Sequence, residues 1–294
     1  MVASGIGICP VADSIAPVAQ FSGSGLKNKV NKRVVLGLQY DGTPWHGWQT
    51  QSSGQTVQDR LEVALEKFSC VSQQTHCAGR TDAGVHALEQ VVHFDTDIDR
   101  TSASWLRGVN AFLPPSIAVR WATTVPADSP DGFHARFSAR ARTYCYVLYN
   151  NPVRAPLLVG KAGWAFRPLD LGAMQDAATL LLGTHDFSAF RAVDCQAKSA
   201  VKTLRRIDIG RQRDMIVFTF EANAFLHHMV RNIVGSLVYV GKGKQSAAWL
   251  ADVLAAGDRH RAAPTFMPDG LYLAKIDYDT KWRLPQSPLL LPWL

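Results

Sequence analysis

The chain has 294 residues, 47% of them hydrophobic, and its 31 Lys and Arg against 24 Asp and Glu give a formal charge of +7. That is enough chain for one large domain or two modest ones, with a core that needs no disulfide or metal. No run reaches the roughly 18 apolar residues of a membrane span, and five cysteines without C-x-x-C spacing argue against a disulfide framework or structural zinc and for a reducing, cytoplasmic compartment.

Residues 1–31 are rich in Gly, Ser and Ala, lack the pattern of a secretory signal and read as a loosely ordered tail. Val34–Tyr40 reads as the first strand, followed by the turn Asp41-Gly42-Thr43-Pro44 and a loop to Gln51. Thr56 is the expected N-cap of a helix with Val57, Leu61, Ala64, Leu65 and Phe68 at helical spacing. A short strand ends near Ala78 and another covers Gln90–Phe94. A helix over Ser102–Phe112 carries Trp105, Val109 and Phe112 on one face, and Pro114 ends it. Ile117, Val119, Trp121, Thr123 and Val125 then alternate with more polar residues, as in a half-buried strand.

The second half repeats this order without repeating the sequence. A strand over Arg142–Tyr149 precedes a helix that begins after Asp170, carries Met174, Ala177, Ala178 and Leu181, and has Gly183 at its end. Strands follow at Thr203–Ile209 and Met215–Glu221. A helix over Leu226–Val240 stops at Gly241, an additional helix spans Ser246–Ala255, and a last strand covers Leu271–Tyr278. The expected class is α+β: two ferredoxin-like βαββαβ halves, residues 32–133 and 134–280, with mainly antiparallel sheets side by side and a cleft between them. The boundary falls at or just after Pro126–Phe133, and 281–294 is a C-terminal tail. Open sheet faces of this kind often bind RNA, although fold alone does not prove it.

Charge is uneven along the chain. From Gly132 to Leu169 there is no carboxylate, while Arg136, Arg140, Arg142, Arg154, Lys161 and Arg167 fall in that stretch; Lys198, Lys202, Arg205 and Arg206 form a second group. Such surfaces suit a polyanion, because each neutralised phosphate releases counterions. A solvated face of a basic protein is the plainer alternative.

Between two strands lies Gly79-Arg80-Thr81-Asp82-Ala83-Gly84-Val85-His86-Ala87, a loop that places a carboxylate, a guanidinium and an imidazole within a few residues. Taken alone it is a polar turn in which Asp82 accepts backbone hydrogen bonds and pairs with Arg80. The stretch resembles the signature of the tRNA pseudouridine synthase A family. Further segments resemble that family in the same order: Leu38–Gly42 with Gly47-Trp48-Gln49, Val91–Phe94, Phe133–Ala139, Asn223–Asn232 and Gly270–Leu273. The resemblance runs from about Lys32 to about Tyr278.

The resemblance implies that Asp82 is the catalytic carboxylate and that Arg80 binds RNA and helps displace the target nucleotide. It implies that Tyr144 stacks on the target base, that Arg231 pairs with Asp82, and that Leu271 packs against the pocket. It also implies no metal or organic cofactor, a homodimer, and as substrate the uridines at positions 38 to 40 in the anticodon arm of tRNA. Thr143 and Thr50 stand where the family pattern often carries a basic residue, which weakens phosphate contacts and leaves the chemistry untouched.

Physical chemistry fits these roles. Burial alone would raise the pKa of Asp82, and a paired guanidinium opposes that. Extruding a base costs a few kcal/mol of stacking, and an aromatic face such as Tyr144 returns about 1 to 3 kcal/mol. The plainer readings stand beside them. Tyr144 shares a strand face with Tyr146, where aromatics pack well in any case. His227 and His228 are adjacent on the expected helix and so diverge, which is poor geometry for a metal site. Trp45 and Trp48 read as loop packing, and His86 and His93 acquire no role. A non-catalytic tRNA-binding or folding protein, and an N-glycosidase using the same carboxylate, are the rival functions.

Overall fold

The computed structural model describes residues 32–127 and 132–285. The expected tail 1–31, residues 286–294 of the expected C-terminal tail and residues 128–131 of the expected boundary segment lie outside the described residues.

The first half runs β1 (Lys32–Tyr40), α1 (Val57–Ser69), β2 (His76–Cys77), β3 (His86–Thr96), α2 (Ser102–Asn110) and β4 (Ile117–Pro126). The second runs β5 (Ala139–Asn150), β6 (Gly163–Ala165), α3 (Leu171–Thr179), β7 (Gly183–Asp186), β8 (Val201–Gln212), β9 (Met215–Ala222), α4 (Met229–Gly241), α5 (Ala247–Ala256) and β10 (Leu271–Tyr278). All ten strands join one sheet, ordered β4-β1-β3-β10-β5-β9-β8-β7, with β2 on β3 and β6 on β5. Within each half the spatial order is fourth, first, third, second strand: β4-β1-β3-β2, then β10-β5-β9-β8. This is the ferredoxin-like arrangement, made twice, and the fold is α+β with a mainly antiparallel sheet.

The junction between the two halves is short. β2 pairs only with the far end of β3, at Val92 and His93. The start of β3 is thereby left to β10, and His86 and Ala87 pair in parallel with Tyr272 and Leu273. The loop that carries Asp82 ends at this junction, which places it where the two halves meet.

Local signals explain most elements. Thr56 caps α1 by accepting from the Asp59 amide, and Thr101, Asp170 and Ser246 cap α2, α3 and α5 in the same way. One sheet face packs under the helices through Leu36, Leu38, Tyr144, Tyr146, Phe218, Phe220, Leu65, Trp105, Ile233 and Val234. On the other face Cys145, Val147, Tyr272 and Ala274 form a smaller cluster with Tyr149. Tyr144 and Tyr146 therefore share one face and Tyr149 takes the other, as strand alternation requires.

Several readings of the sequence need correction, among them α2, which ends at Asn110 and leaves Phe112 exposed instead of on the packed face. β3 is longer than expected, beginning at His86. α3 ends at Thr179, and Gly183, at φ +107°, opens β7 instead of closing the helix. α4 begins at Met229, not Leu226, because His228 takes a left-handed backbone at φ +62°. β6 and β7, of three and four residues, were not foreseen because segments so short carry no periodicity. No helix among the described residues is long and apolar enough to cross a membrane, and the four described cysteines are free thiols.

Candidate active site

The loop from Ala78 to Val85 is fixed from all sides. Its entry is gripped by Gln90, whose amide donates to the Gly79 carbonyl at 2.5 Å and accepts from the Gly79 amide at 3.4 Å. Thr81 is held through its hydroxyl by Tyr40 at 2.7 Å and through its carbonyl by the Trp48 amide at 3.0 Å. The Val85 amide donates to the Asp82 carbonyl at 3.1 Å, closing a turn in which Gly84 supplies φ +77°. That is the third position of a type II turn, where a side chain is strained. A Cβ at Gly47 would lie 2.7 Å from the Thr81 carbonyl oxygen, so glycine there lets the preceding loop lie directly against the Asp82 turn. Behind it, the Arg142 guanidinium donates to the carbonyls of Ala78, Arg136, Ala139 and Asn223 at 2.6 to 3.1 Å. A cation with four backbone acceptors is a brace, and this removes Arg142 from the expected phosphate-facing group.

The second half of the site comes from the entry to α4. Arg231 donates through Nε to the Phe266 carbonyl at 2.8 Å and through Nη1 to Asp82 Oδ2 at 3.1 Å. His227 Nε2 lies 3.1 Å from Asp82 Oδ1 and His228 Nε2 lies 3.4 Å from Oδ2. The two imidazoles were expected to diverge. They converge because His228 precedes the helix and its left-handed backbone turns both rings the same way, with centroids 4.0 Å apart. Such a backbone is uncommon for a non-glycine residue and is often found at functional sites. Among the described residues the basic side chains that meet the Asp82 carboxylate are these three, and Arg80 is not one of them.

The electrostatics follow from that cage. Asp82 is largely buried, its side chain 19% exposed. Burial pushes its pKa up, but the His227 hydrogen bond and the charges of His228, His227 and Arg231 more than offset it, and the net direction is downward. His227 is raised to about 9, first by its hydrogen bond to Asp82. His228 goes down, chiefly through burial. Near neutral pH the site therefore holds a carboxylate, a guanidinium, an imidazolium and one neutral imidazole. The donor atoms of Asp82, His227 and His228 lie within 4.8 Å of one another, close enough to share a metal ion. The Arg231 guanidinium also sits on Oδ2, so the same atoms form an ion-pair cage around the carboxylate.

Tyr144 is buried on β5 with its ring edge-on to Phe225 at 5.0 Å. Burial, and then the Asp82 charge, raise its phenol pKa, so it stays neutral. Gly79 lies beside the ring, the Tyr144 hydroxyl being 3.9 Å from where a Cβ would stand, which is ordinary contact. Leu271 is buried opposite Tyr146 in the β10–β5 ladder, while the residue opposite Tyr144 is Leu273. Arg80 is exposed on the loop. The basic stretches are partly neutralised within the protein: Arg140 pairs with Asp279, Lys161 with Asp41, Arg205 with Glu221 and Arg206 with Asp208. Arg136, Arg154, Arg167 and Lys198 are exposed.

The histidines without an expected role are structural. His86 accepts from the Gly42 amide at 3.0 Å on Nδ1, and its Nε2 faces the Asp269 carbonyl at 3.1 Å, which ties the two halves beside the junction. His93 accepts from the Ala135 amide at 3.1 Å. Trp48 is fully buried and Trp45 packs against the core, so both are loop packing.

The chain matches the model of a family described as tRNA pseudouridine synthase over residues 38–138 and 177–279. It is 68% identical over 259 residues to the tRNA pseudouridine synthase A of Herminiimonas arsenicoxydans, covering 88% of this chain and 94% of that protein. The enzyme of the same name from Janthinobacterium sp. (strain Marseille) is 68% identical over 261 residues, covering 88% and 96%. That of Paraburkholderia phymatum is 57% identical over 262 residues, covering 89% and 97%.

Proposed function

Since the chain belongs to the tRNA pseudouridine synthase family and is an isomerase making pseudouridine in tRNA, we propose that Asp82 carries the reaction on uridines at positions 38 to 40 of the anticodon arm. The reaction breaks the bond from ribose C1′ to uracil N1, turns the base, and joins C1′ to C5. The proton lost from C5 is matched by one gained at N1, so atoms and charge balance without an oxidant, a reductant or a donated group.

The observation that supports this reading is the placement of His227 and Arg231 against the two oxygens of Asp82. A mostly buried carboxylate is kept ionised by Arg231 and His227 at the meeting of the two halves. An anion in a site screened from water suits attack at, or stabilisation of, the electron-poor C1′. Tyr144, buried beside it, offers an aromatic face to the extruded uracil. Leu271 lies on the same sheet face as Tyr144, and Arg80 is exposed, as contact with RNA requires. The assignment to the anticodon arm, and a homodimeric cytoplasmic enzyme, rest on the family resemblance.

The test uses tRNA tritiated at uracil C5 with purified protein. Release of tritium to water at anticodon-arm uridines, abolished in Asp82→Asn with tRNA binding retained, is the expected result. Binding without release points to the folding-protein alternative, and free uracil among the products points to an N-glycosidase. Release by Asp82→Asn at the wild-type rate ends the catalytic assignment.

A further inference from the structure

His227 receives no task from the family resemblance, yet its ring meets a carboxylate at each nitrogen. Nε2 lies 3.1 Å from Asp82 Oδ1 and Nδ1 lies 3.0 Å from Asp194 Oδ1. Ionised carboxylate oxygens only accept, so an imidazole between two of them needs a proton on both nitrogens. The backbone holds the ring in that place. The His227 amide donates to Cys195 Sγ at 3.5 Å, and the Ala192 amide donates to the His227 carbonyl at 3.0 Å. The Cys195 amide donates to the Ala192 carbonyl at 3.2 Å, closing the turn that presents Asp194. Asp194 itself faces solvent, its side chain 74% exposed.

We propose that His227, oriented by Asp194, is a positioning residue for pseudouridine formation: as a doubly donating imidazolium it fixes Oδ1 of Asp82 while Arg231 fixes Oδ2. This rests on the reading of Asp82 as the catalytic carboxylate. Oδ1, with His227 as its one charged partner, keeps a second lone pair for the substrate, and rotation of the carboxylate is stopped from both ends. Preorganisation of this kind lowers the barrier without touching substrate. The solvent-exposed Asp194 gives the imidazolium an outer counter-charge, so the cage holds its proton through the physiological range. The raised pKa of His227, near 9, agrees with the geometry. The groups facing the ring are Asp82 and Asp194 on its nitrogens, His228 beside it, Arg231 across Asp82, and the Cys195 thiol under its backbone.

The experiment measures kcat and KM for tRNA from pH 6 to 10 in wild type, His227→Gln, Asp194→Asn and Asp82→Asn, by tritium release from one tRNA preparation. In wild type kcat falls above about pH 9 as the ring loses its proton. Glutamine keeps one donor and has no titration. His227→Gln should therefore lose about 10- to 100-fold in kcat, with KM within about threefold and no alkaline fall other than that of the RNA. Asp194→Asn keeps an acceptor and removes a charge from an exposed position, so the fold is not at risk; its alkaline fall should move to lower pH with KM unchanged. Profiles of unchanged shape in both variants, or a raised KM with wild-type kcat in His227→Gln, overturn the proposal. Activity in Asp82→Asn would instead remove the reading on which it rests.

Discussion

His76, His93 and His134 cluster beside β2 and β3 with ring centroids 4.6 to 5.6 Å apart, while the His227 and His228 rings lie 4.0 Å apart against Asp82. The chemistry of the two groups differs because of what lies beside them. His93 is buried, faces His134, Arg33 and His76, accepts a backbone amide, and is pushed down to about 3. His227 sits between two carboxylates and is raised to about 9. One cluster braces the Phe133–Phe137 segment; the other is part of a charged cage around a carboxylate. Residue type alone does not separate a structural histidine from a functional one. The partners do.

The strongest way to break this contrast is to exchange the consequences. Asp82→Asn should lower kcat by about a thousandfold or more, whereas His93→Phe should leave kcat within about threefold, both read by tritium release. Comparable losses in the two variants would mean that the distinction between cage and brace is false. The aromatic neighbours carry the same contrast at smaller scale. Phe133 lies edge-on to His93 in the core, and Tyr144 borders Asp82. Tyr144→Ala should reduce kcat/KM by about 5- to 150-fold, the worth of one base stacked on an aromatic ring, and Tyr144→Phe should restore most of it.

Arg142 and Arg231 extend the comparison to cations. Arg231 meets a carboxylate, and Arg142 meets four carbonyls. Arg142→Met should cost roughly 2 to 4 kcal/mol in denaturant unfolding by stripping charged donors from those carbonyls. Arg231→Met should spare stability more than it spares kcat.

The dependence of stability on pH has a sign that separates the two histidine groups. The folded pKa of His93 is depressed, so the unfolded chain binds the proton more tightly, and stability falls as pH drops from 6.5 toward about 3. For His227 the folded pKa is raised. Its contribution is full below 6.5 and is lost as pH rises through about 9. His93→Phe should flatten the acid side of the stability curve and leave the alkaline side alone.

Most of the site could be read from the chain because its parts lie in compact motifs. Asp82 sits in a loop closed by glycines, and Arg231 stands on an otherwise apolar helix face, where an unpaired charge is costly and a partner is to be expected. The inward turn of Arg142 was also available, since alternation puts it on the core face with Tyr144 and Tyr146. The two histidines of the cage were hidden by one torsion. Placing His227 and His228 within the helix makes them diverge, and no local rule foretells a left-handed histidine before Met229. Two adjacent histidines three and four residues before an inward arginine, at the start of a helix, were the signal available. β6 and β7 were invisible because their pairing, not their own pattern, defines them.

The cage depends most on the His227 ring staying protonated between Asp82 and Asp194. That protonation can be read directly by following the His227 ring nitrogens by NMR through a pH titration, in wild type and in Asp82→Asn. A midpoint near 9 in wild type that falls when the Asp82 charge is removed is the predicted result. A midpoint near the ordinary histidine value in both proteins would contradict it.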